Sequence, residues 1–273
     1  MQYGFVIPGG DVLELMDLAA EIEAAGWDGV FIADAVYSTD PWVALAAMAT
    51  RTERVKIGPL LTPPSRRRPW KLASEVATLD RLSSGRAVLP VGLGAPDTGF
   101  DKVGEAVDRK TRAALLDETL ELLLHFWSGE KFRFDGEHYT VHWDSDWLYT
   151  PVQQPRVPIW VVGAWPRRAS MARALKYDGV IPVKLDIAGT FSPFTSDDIR
   201  EVVQYAKEHR TETSPFDIIM EGVTPVERPD NWNQIIEPLA EAGATWWIES
   251  MWDVPGGMDA VRQRIRQGPP RVA

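Results

Sequence analysis

Short apolar runs alternate along this chain with stretches in which apolar residues recur every three or four positions. The runs occupy residues 3–7, 29–33, 55–61, 87–91, 159–162, 180–183, 216–220 and 245–248. Most are apolar on both faces, as strands of a parallel sheet covered on two sides must be. Between them the period changes to that of a helix. Leu13, Met16, Leu18, Ala19 and Ile22 make one apolar face ahead of Gly26, and Leu72, Val76, Leu79 and Leu82 make another between Pro69 and Ser83-Ser84-Gly85. Asp40-Pro41 carries the cap and first-turn signal of a third helix, and residues 108–127 form a longer one with Asp117 and Glu121 turned to solvent. One segment breaks the rhythm. Residues 129–147 alternate polar and apolar around Asp135-Gly136, which predicts a β-hairpin, inserted after the fourth helix and reaching to about residue 150.

Eight strands alternating with eight helices predict a single (β/α)8 barrel over residues 1–273, the alternative being an open doubly wound sheet. In either architecture ligands gather at the carboxyl ends of the strands, so the loops that leave those ends hold the candidate chemistry. The chain of 273 residues, with 45% hydrophobic and 25% charged residues, has an ordinary globular composition. A net charge of -10 argues against nucleic acid as a partner, and the lack of cysteine excludes disulfides, thiolate metal sites and a cysteine nucleophile. No apolar segment reaches the roughly 18 residues of a membrane span and no basic leader is apparent, so the expectation is a cytoplasmic protein without a membrane partner. Twelve tryptophans are unusual, and Trp27, Trp42, Trp127, Trp165 and Trp252 fall at element ends, as core and rim packing or as one aromatic pocket.

The four histidines, His125, His138, His142 and His209, show no metal-ligand pattern, and no nucleophile elbow is present. Asp34, Glu221 and Glu249 each follow a strand, where acids serve either as acid–base groups or as caps for loops and helices. Gly92-Leu93-Gly94 is too sparse for a dinucleotide fingerprint. Gly163 through Arg168 reads better as an anion site, with a glycine allowing close approach, a helix start at Pro166, and Arg167 and Arg168 adding charge. Arg66-Arg67-Arg68 flanks a pocket or pairs with acids.

Residues 24–34 (AAGWDGVFIAD), 40–63, 66–94 and 155–182 together resemble the luciferase-like monooxygenase superfamily of flavin- and deazaflavin-dependent oxidoreductases. The resemblance implies a barrel that binds FMN or coenzyme F420 at its C-terminal face and acts on a small organic substrate. It implies a non-prolyl cis peptide near Leu60–Leu61 behind the ring, with Thr62, Gly92 and Gly94 beside it. Gly163, Ala164 and Trp165 match the family's phosphate loop, with Val183 and Lys184 alongside. It also implies a homodimer and, for FMN, a reductase that supplies reduced flavin. The histidines many members carry after the second strand are absent, as is the glutamate after the strand-four glycines, where Ala95 stands. Asp34, Tyr37 and Asp97 are the candidate replacements as catalytic groups. Two further readings remain: a non-catalytic barrel that binds a flavin or small ligand, and a carboxylate-based barrel hydrolase.

Overall fold

The computed structural model describes residues 1–95, 99–146, 149–186, 191–227, 231–252 and 256–271. The strands are β1 (Gln2–Ile7), β2 (Gly29–Ile32), β3 (Lys56–Pro59), β4 (Leu89–Val91), β5 (Phe132–Asp135), β6 (Thr140–Trp143), β7 (Ile159–Trp165), β8 (Gly179–Leu185), β9 (Phe191–Ser192), β10 (Asp217–Gly222) and β11 (Trp246–Ser250). The helices are α1 (Val12–Ala24), α2 (Pro41–Ala49), α3 (Pro69–Leu82), α4 (Arg109–Ser128), α5 (Arg168–Ala174), α6 (Ser196–His209), α7 (Trp232–Ala242) and α8 (Gly257–Arg266). Local signals fix several of the helix starts. The Asp11 carboxylate caps α1, Asp40 caps α2 ahead of Pro41, and Thr195 with Asp198 forms a reciprocal capping box on α6.

Eight strands run parallel in the order β3-β2-β1-β11-β10-β8-β7-β4. Backbone hydrogen bonds from Ile57 and Thr62 to the β4 segment join the two ends, and the sheet closes as a (β/α)8 barrel. The seam is tight. A Cβ on Gly58 would overlap the Val88 carbonyl oxygen, so glycine is the residue that lets β3 and β4 meet. Arg86 braces the N-terminal end of this seam, donating to Thr52 Oγ1 and to the carbonyls of Ala49, Thr52, Val55 and Ser83.

The alternation of strand side chains divides the core into two. Val6, Phe31, Leu60, Val88, Trp160, Ile181, Ile219, Trp246 and Ile248 point inward and fill the barrel. Trp160 and Trp246 meet at 5.1 Å between ring centroids and both pack on Phe31, so the lumen is solid at this level rather than a pore. Their neighbours, such as Phe5, Val30, Ile57, Val161, Val180 and Met220, point outward into the layer under the helices. Of the element-end tryptophans, Trp27, Trp42 and Trp127 belong to this outer layer.

Several boundaries differ from the sequence expectation. β7 does not stop at Val162 but continues through Trp165, because Gly163, Ala164 and Trp165 keep pairing with Pro182, Val183 and Lys184 of β8. The following helix begins at Arg168, not Pro166, and has only 7 residues. A short strand, β9, folds back antiparallel on Lys184 and Leu185, where the sequence predicts only loop. The antiparallel pair β5–β6 follows α4, with a loop of residues 136–139 rather than a turn on Asp135-Gly136 alone. The Glu118 carboxylate of α4 accepts hydrogen bonds from the backbone N–H groups of Glu137, His138 and Tyr139 and holds that loop to the helix.

Glu249 is the sharpest correction. Strand parity turns it outward, away from the lumen, where it is fully buried beside an equally buried Arg264. Its oxygens accept from Thr224 N and Oγ1, Trp247 Nε1 and Arg264 Nη2, and the guanidinium lies 4.0 Å from the Trp232 ring centroid. This is a structural pair between β11 and α8, not a catalytic acid. Among the described residues no helix is long and apolar enough to cross a membrane, and no group of histidines and acids could hold a metal.

Two substitutions test this account by urea unfolding. Arg264→Met leaves the Glu249 charge buried without its partner and is expected to cost about 3–5 kcal/mol. Gly58→Ala forces the seam apart and is expected to cost about 1–3 kcal/mol. Wild-type midpoints would contradict the roles given to these residues.

Candidate active site

The C-terminal mouth of the barrel has two unlike walls. The first is built on β3 and β4. The peptide bond between Leu60 and Leu61 is cis, at the bond where the resemblance places it. Leu60 turns into the lumen cluster, while the Leu61 side chain lies over Gly92, where an added Cβ would come within 3.1 Å of Leu61 Cδ2 and 3.0 Å of Val162 Cγ2. Gly92 thus keeps open the space that Leu61 fills. Gly94 adopts φ +74, and a Cβ there would meet Phe100 Cζ at 2.6 Å, so two separate constraints demand glycine.

Arginines lock this wall from behind. Thr62 donates from Oγ1 to Asp34 at 3.0 Å, Arg66 Nη2 donates to the Asp34 carboxylate and carbonyl, and Arg67 Nη2 reaches both carboxylate oxygens. The Asp34 side chain is 2% exposed and its oxygens are fully committed. Arg112 of α4 donates to the carbonyls of Leu93 and Gly94, and both Arg66 and Arg112 lie over the Phe100 ring. Two of the three consecutive arginines are therefore clamps on the loops after β2 and β3. Of the other two candidates for catalytic roles, Tyr37 is completely exposed, and Asp97 lies outside the described residues.

Along β7 and β8 the expected cofactor residues split by parity. Ala164 and Val183 share the lumen side, whereas Trp165 and Lys184 face α6. Trp165 Nε1 donates to Glu201 and its ring packs on Tyr205, and Lys184 Nζ donates to Asp198 at 2.7 Å. Burial alone would raise the Asp198 carboxyl, but the bonds from Lys184 and Thr195 outweigh it and hold the group below the usual range. The reason for Gly163 is also different from the expected one. Its missing Cβ faces Val180 Cγ2 and Met171 Sδ, so the glycine serves close packing of α5 on the sheet rather than approach of a ligand. The Ala164 N–H is already taken by Ser170 Oγ. Positive charge gathers nearby instead, at the first turns of α4 and α5. Burial, and then the proximity of Arg167 and Arg173, push the Arg109 guanidinium below its usual value. Asp117 neutralises Arg173, while Arg109 and Arg167 form no ion pair with a described residue.

The second wall comes from β10 and β11. Glu221 has the same parity as Ile219, and Ser250 the same as Ile248, so both face the lumen above the packed layer. Trp252 Nε1 donates to Glu221 Oε1 at 2.9 Å. The residue is exposed at the mouth, yet the protein around its carboxyl takes away part of its hydration and raises it above the ordinary glutamate range, against the opposing hydrogen bonds from Trp252 and Ser250. Paired-carboxylate hydrolysis is not supported, because it needs two acids facing one bond and Asp34 and Glu249 are both spoken for.

Known proteins agree with this architecture. The model of the luciferase-like monooxygenase family matches residues 4–231. An F420-dependent glucose-6-phosphate dehydrogenase of Nakamurella multipartita is 34% identical over 179 residues, covering 62% of this chain and 51% of that protein. The chain spans about half the length of the curated relatives it matches. Among solved structures, the F420-dependent tetrahydromethanopterin reductase of Methanopyrus kandleri superposes with a TM-score of 0.79 over 98% of both chains at 18% identity. The oxygenating constituent of 3,6-diketocamphane monooxygenase from Pseudomonas putida, in complex with FMN, superposes with a TM-score of 0.65 at 18% identity, covering 86% of this chain and 72% of that one.

The raised Glu221 carboxyl predicts a pH dependence of folding. Between the ordinary value of 4.5 and its raised folded value, the folded protein keeps a proton that the unfolded chain has released. Stability therefore falls as pH rises through that window, and the loss is complete above the folded value. Glu221→Gln is expected to remove this part of the slope in urea unfolding measured from pH 4.5 towards neutrality. Parallel curves for the two proteins would rule it out.

Proposed function

Because the chain belongs to the luciferase-like monooxygenase family, we propose that it is a flavin- or deazaflavin-dependent oxidoreductase that acts on a small organic molecule. The observation that carries this reading is the apolar wall that Leu61 and Val162 form over Gly92 at the C-terminal mouth, a surface suited to a tricyclic ring. F420 ranks ahead of FMN, since the dehydrogenase that shares 34% identity over 179 residues depends on it. The cofactor supplies hydride or electron transfer, and the protein positions it, excludes water and places polar groups around the reacting atoms. The residues present fit such a group. Leu60, Leu61, Gly92 and Val162 offer apolar surface to the ring, and Arg109 and Arg167 offer unneutralised charge to an anionic tail. FMN as the cofactor would bring a requirement for a reductase partner, whereas F420 would be exchanged with other F420-dependent enzymes.

Optical titration of the apo-protein with both cofactors tests the reading. Binding at micromolar concentration is expected, with F420 the tighter, and binding of neither would reject the assignment. Arg109→Ala with Arg167→Ala is expected to weaken the bound cofactor about tenfold or more, equivalent to about 1.4 kcal/mol, with the effect shrinking as salt is added. Unchanged affinity at low salt would place the tail elsewhere.

A further inference from the structure

In the C-terminal half of the eight barrel strands, the lumen-facing positions are apolar, glycine, proline or serine with a single exception among the described residues. That exception is Glu221. The acids and bases around it are on the outward side and already paired: Lys184 on β8 with Asp198, Glu249 on β11 with Arg264. In the closed order of the sheet, β10 lies four strands from β3 in either direction, so Glu221 faces the Leu60–Leu61 wall from across the mouth. A cofactor held by that wall would share the mouth with Glu221 and a substrate.

We propose that Glu221 is a catalytic residue that exchanges a proton with the hydroxyl or carbonyl oxygen of a neutral alcohol–ketone substrate pair. This rests on the cofactor reading above. In the oxidising direction the substrate C–H bond breaks, and a bound oxidised cofactor would supply the acceptor for its hydride. The O–H bond breaks, its proton passes to the Glu221 carboxylate, and the C=O bond forms. Reduction is the reverse, with the protonated carboxyl donating.

The surroundings suit this task. Trp252 Nε1 fixes Oε1 at 2.9 Å and so orients the carboxyl, and no ion pair with a described residue holds Glu221 permanently charged. Crowding by the walls moves its titration upwards, towards the range in which a carboxyl can both give and take a proton near neutral pH. The apolar lumen beneath it, closed by Trp160 and Trp246, gives a neutral substrate's carbon frame a floor without competing charges.

Carbon-13 NMR of protein labelled at the side-chain carboxyls of glutamate and aspartate tests the proposal, the Glu221 signal being assigned by its loss in Glu221→Gln and its replacement by a new aspartate signal in Glu221→Asp. The signal is expected to titrate above the ordinary glutamate range in the apo-protein and to move higher when F420 or FMN saturates the site. With cofactor bound, cyclohexanol is expected to shift the signal and methylcyclohexane, its apolar counterpart, to leave it in place. A bound cofactor that leaves the Glu221 titration unmoved overturns the proposal, as does an equal response to the two cyclohexane probes. Failure of both cofactors to bind overturns it together with the cofactor reading, and the optical titration reports that outcome independently of the carboxyl signal.

Discussion

The close meeting of β3 and β4 is the constraint on which the rest of this molecule depends. A parallel sheet of eight strands becomes a barrel only if its two ends bond, and here they do so where Gly58 passes the Val88 carbonyl with no room for a side chain. Pro59 and Pro90 lack the N–H groups that a regular ladder would use, so the seam is held at its ends instead, by Ile57 below and Thr62 above. Arg86 secures the lower end and the Asp34–Arg66–Arg67 knot the upper one. The irregular stretch between them contains the Leu60–Leu61 bond. The tight seam thus leads directly into the Leu60 and Leu61 wall of the mouth.

Strand parity then decides which charged residues are available for chemistry. Glu221 and Glu249 look alike in the sequence, each an acid at the end of an apolar strand. One residue of difference in register sends the first into the lumen and the second under the helices, where a buried guanidinium answers it. The arginines divide in the same manner. Arg66, Arg67, Arg86, Arg112 and Arg264 are consumed by carboxylates and carbonyls that shape the scaffold. In a chain of net charge -10, Arg109 and Arg167 lie close together at the starts of α4 and α5, and no described acid neutralises them.

The fold was legible because it follows from periodicity: two-sided apolar runs, helical faces and caps recur in a fixed order, and Gly-rich and Pro-rich breaks mark the strand ends. The cis bond at Leu60–Leu61 was also legible, through the family resemblance. Less could be read of the site itself. Nothing local distinguishes Asp34 as a clamp from Asp34 as an acid, since its partners Arg66 and Arg67 are brought to it by closure of the barrel. Gly163 suggested a ligand loop, yet its glycine answers to Met171, a residue one helix away. The lumen parity of Glu221 was available by counting back from Ile219. Trp160 and Trp246 could have been assigned to the lumen by the same count.

The two walls of the mouth also differ in where they lie along the chain. The β3–β4 wall and its arginine clamps fall well inside the stretch that the family model matches, residues 4–231. Ser250 and Trp252, which complete the opposite wall around Glu221, lie beyond it. A rigid backing for a shared cofactor needs the same glycines and the same seam whatever the reaction. On the proposal made here the opposite wall meets substrate and has no such obligation, and its geometry rests on β10 and β11, which are held from outside by the Arg264–Glu249 pair. That buried pair therefore does for the β10–β11 wall what the Asp34 knot does for the β3–β4 wall: it fixes the backbone from the helix layer and leaves the lumen face of the same strands free to carry chemistry.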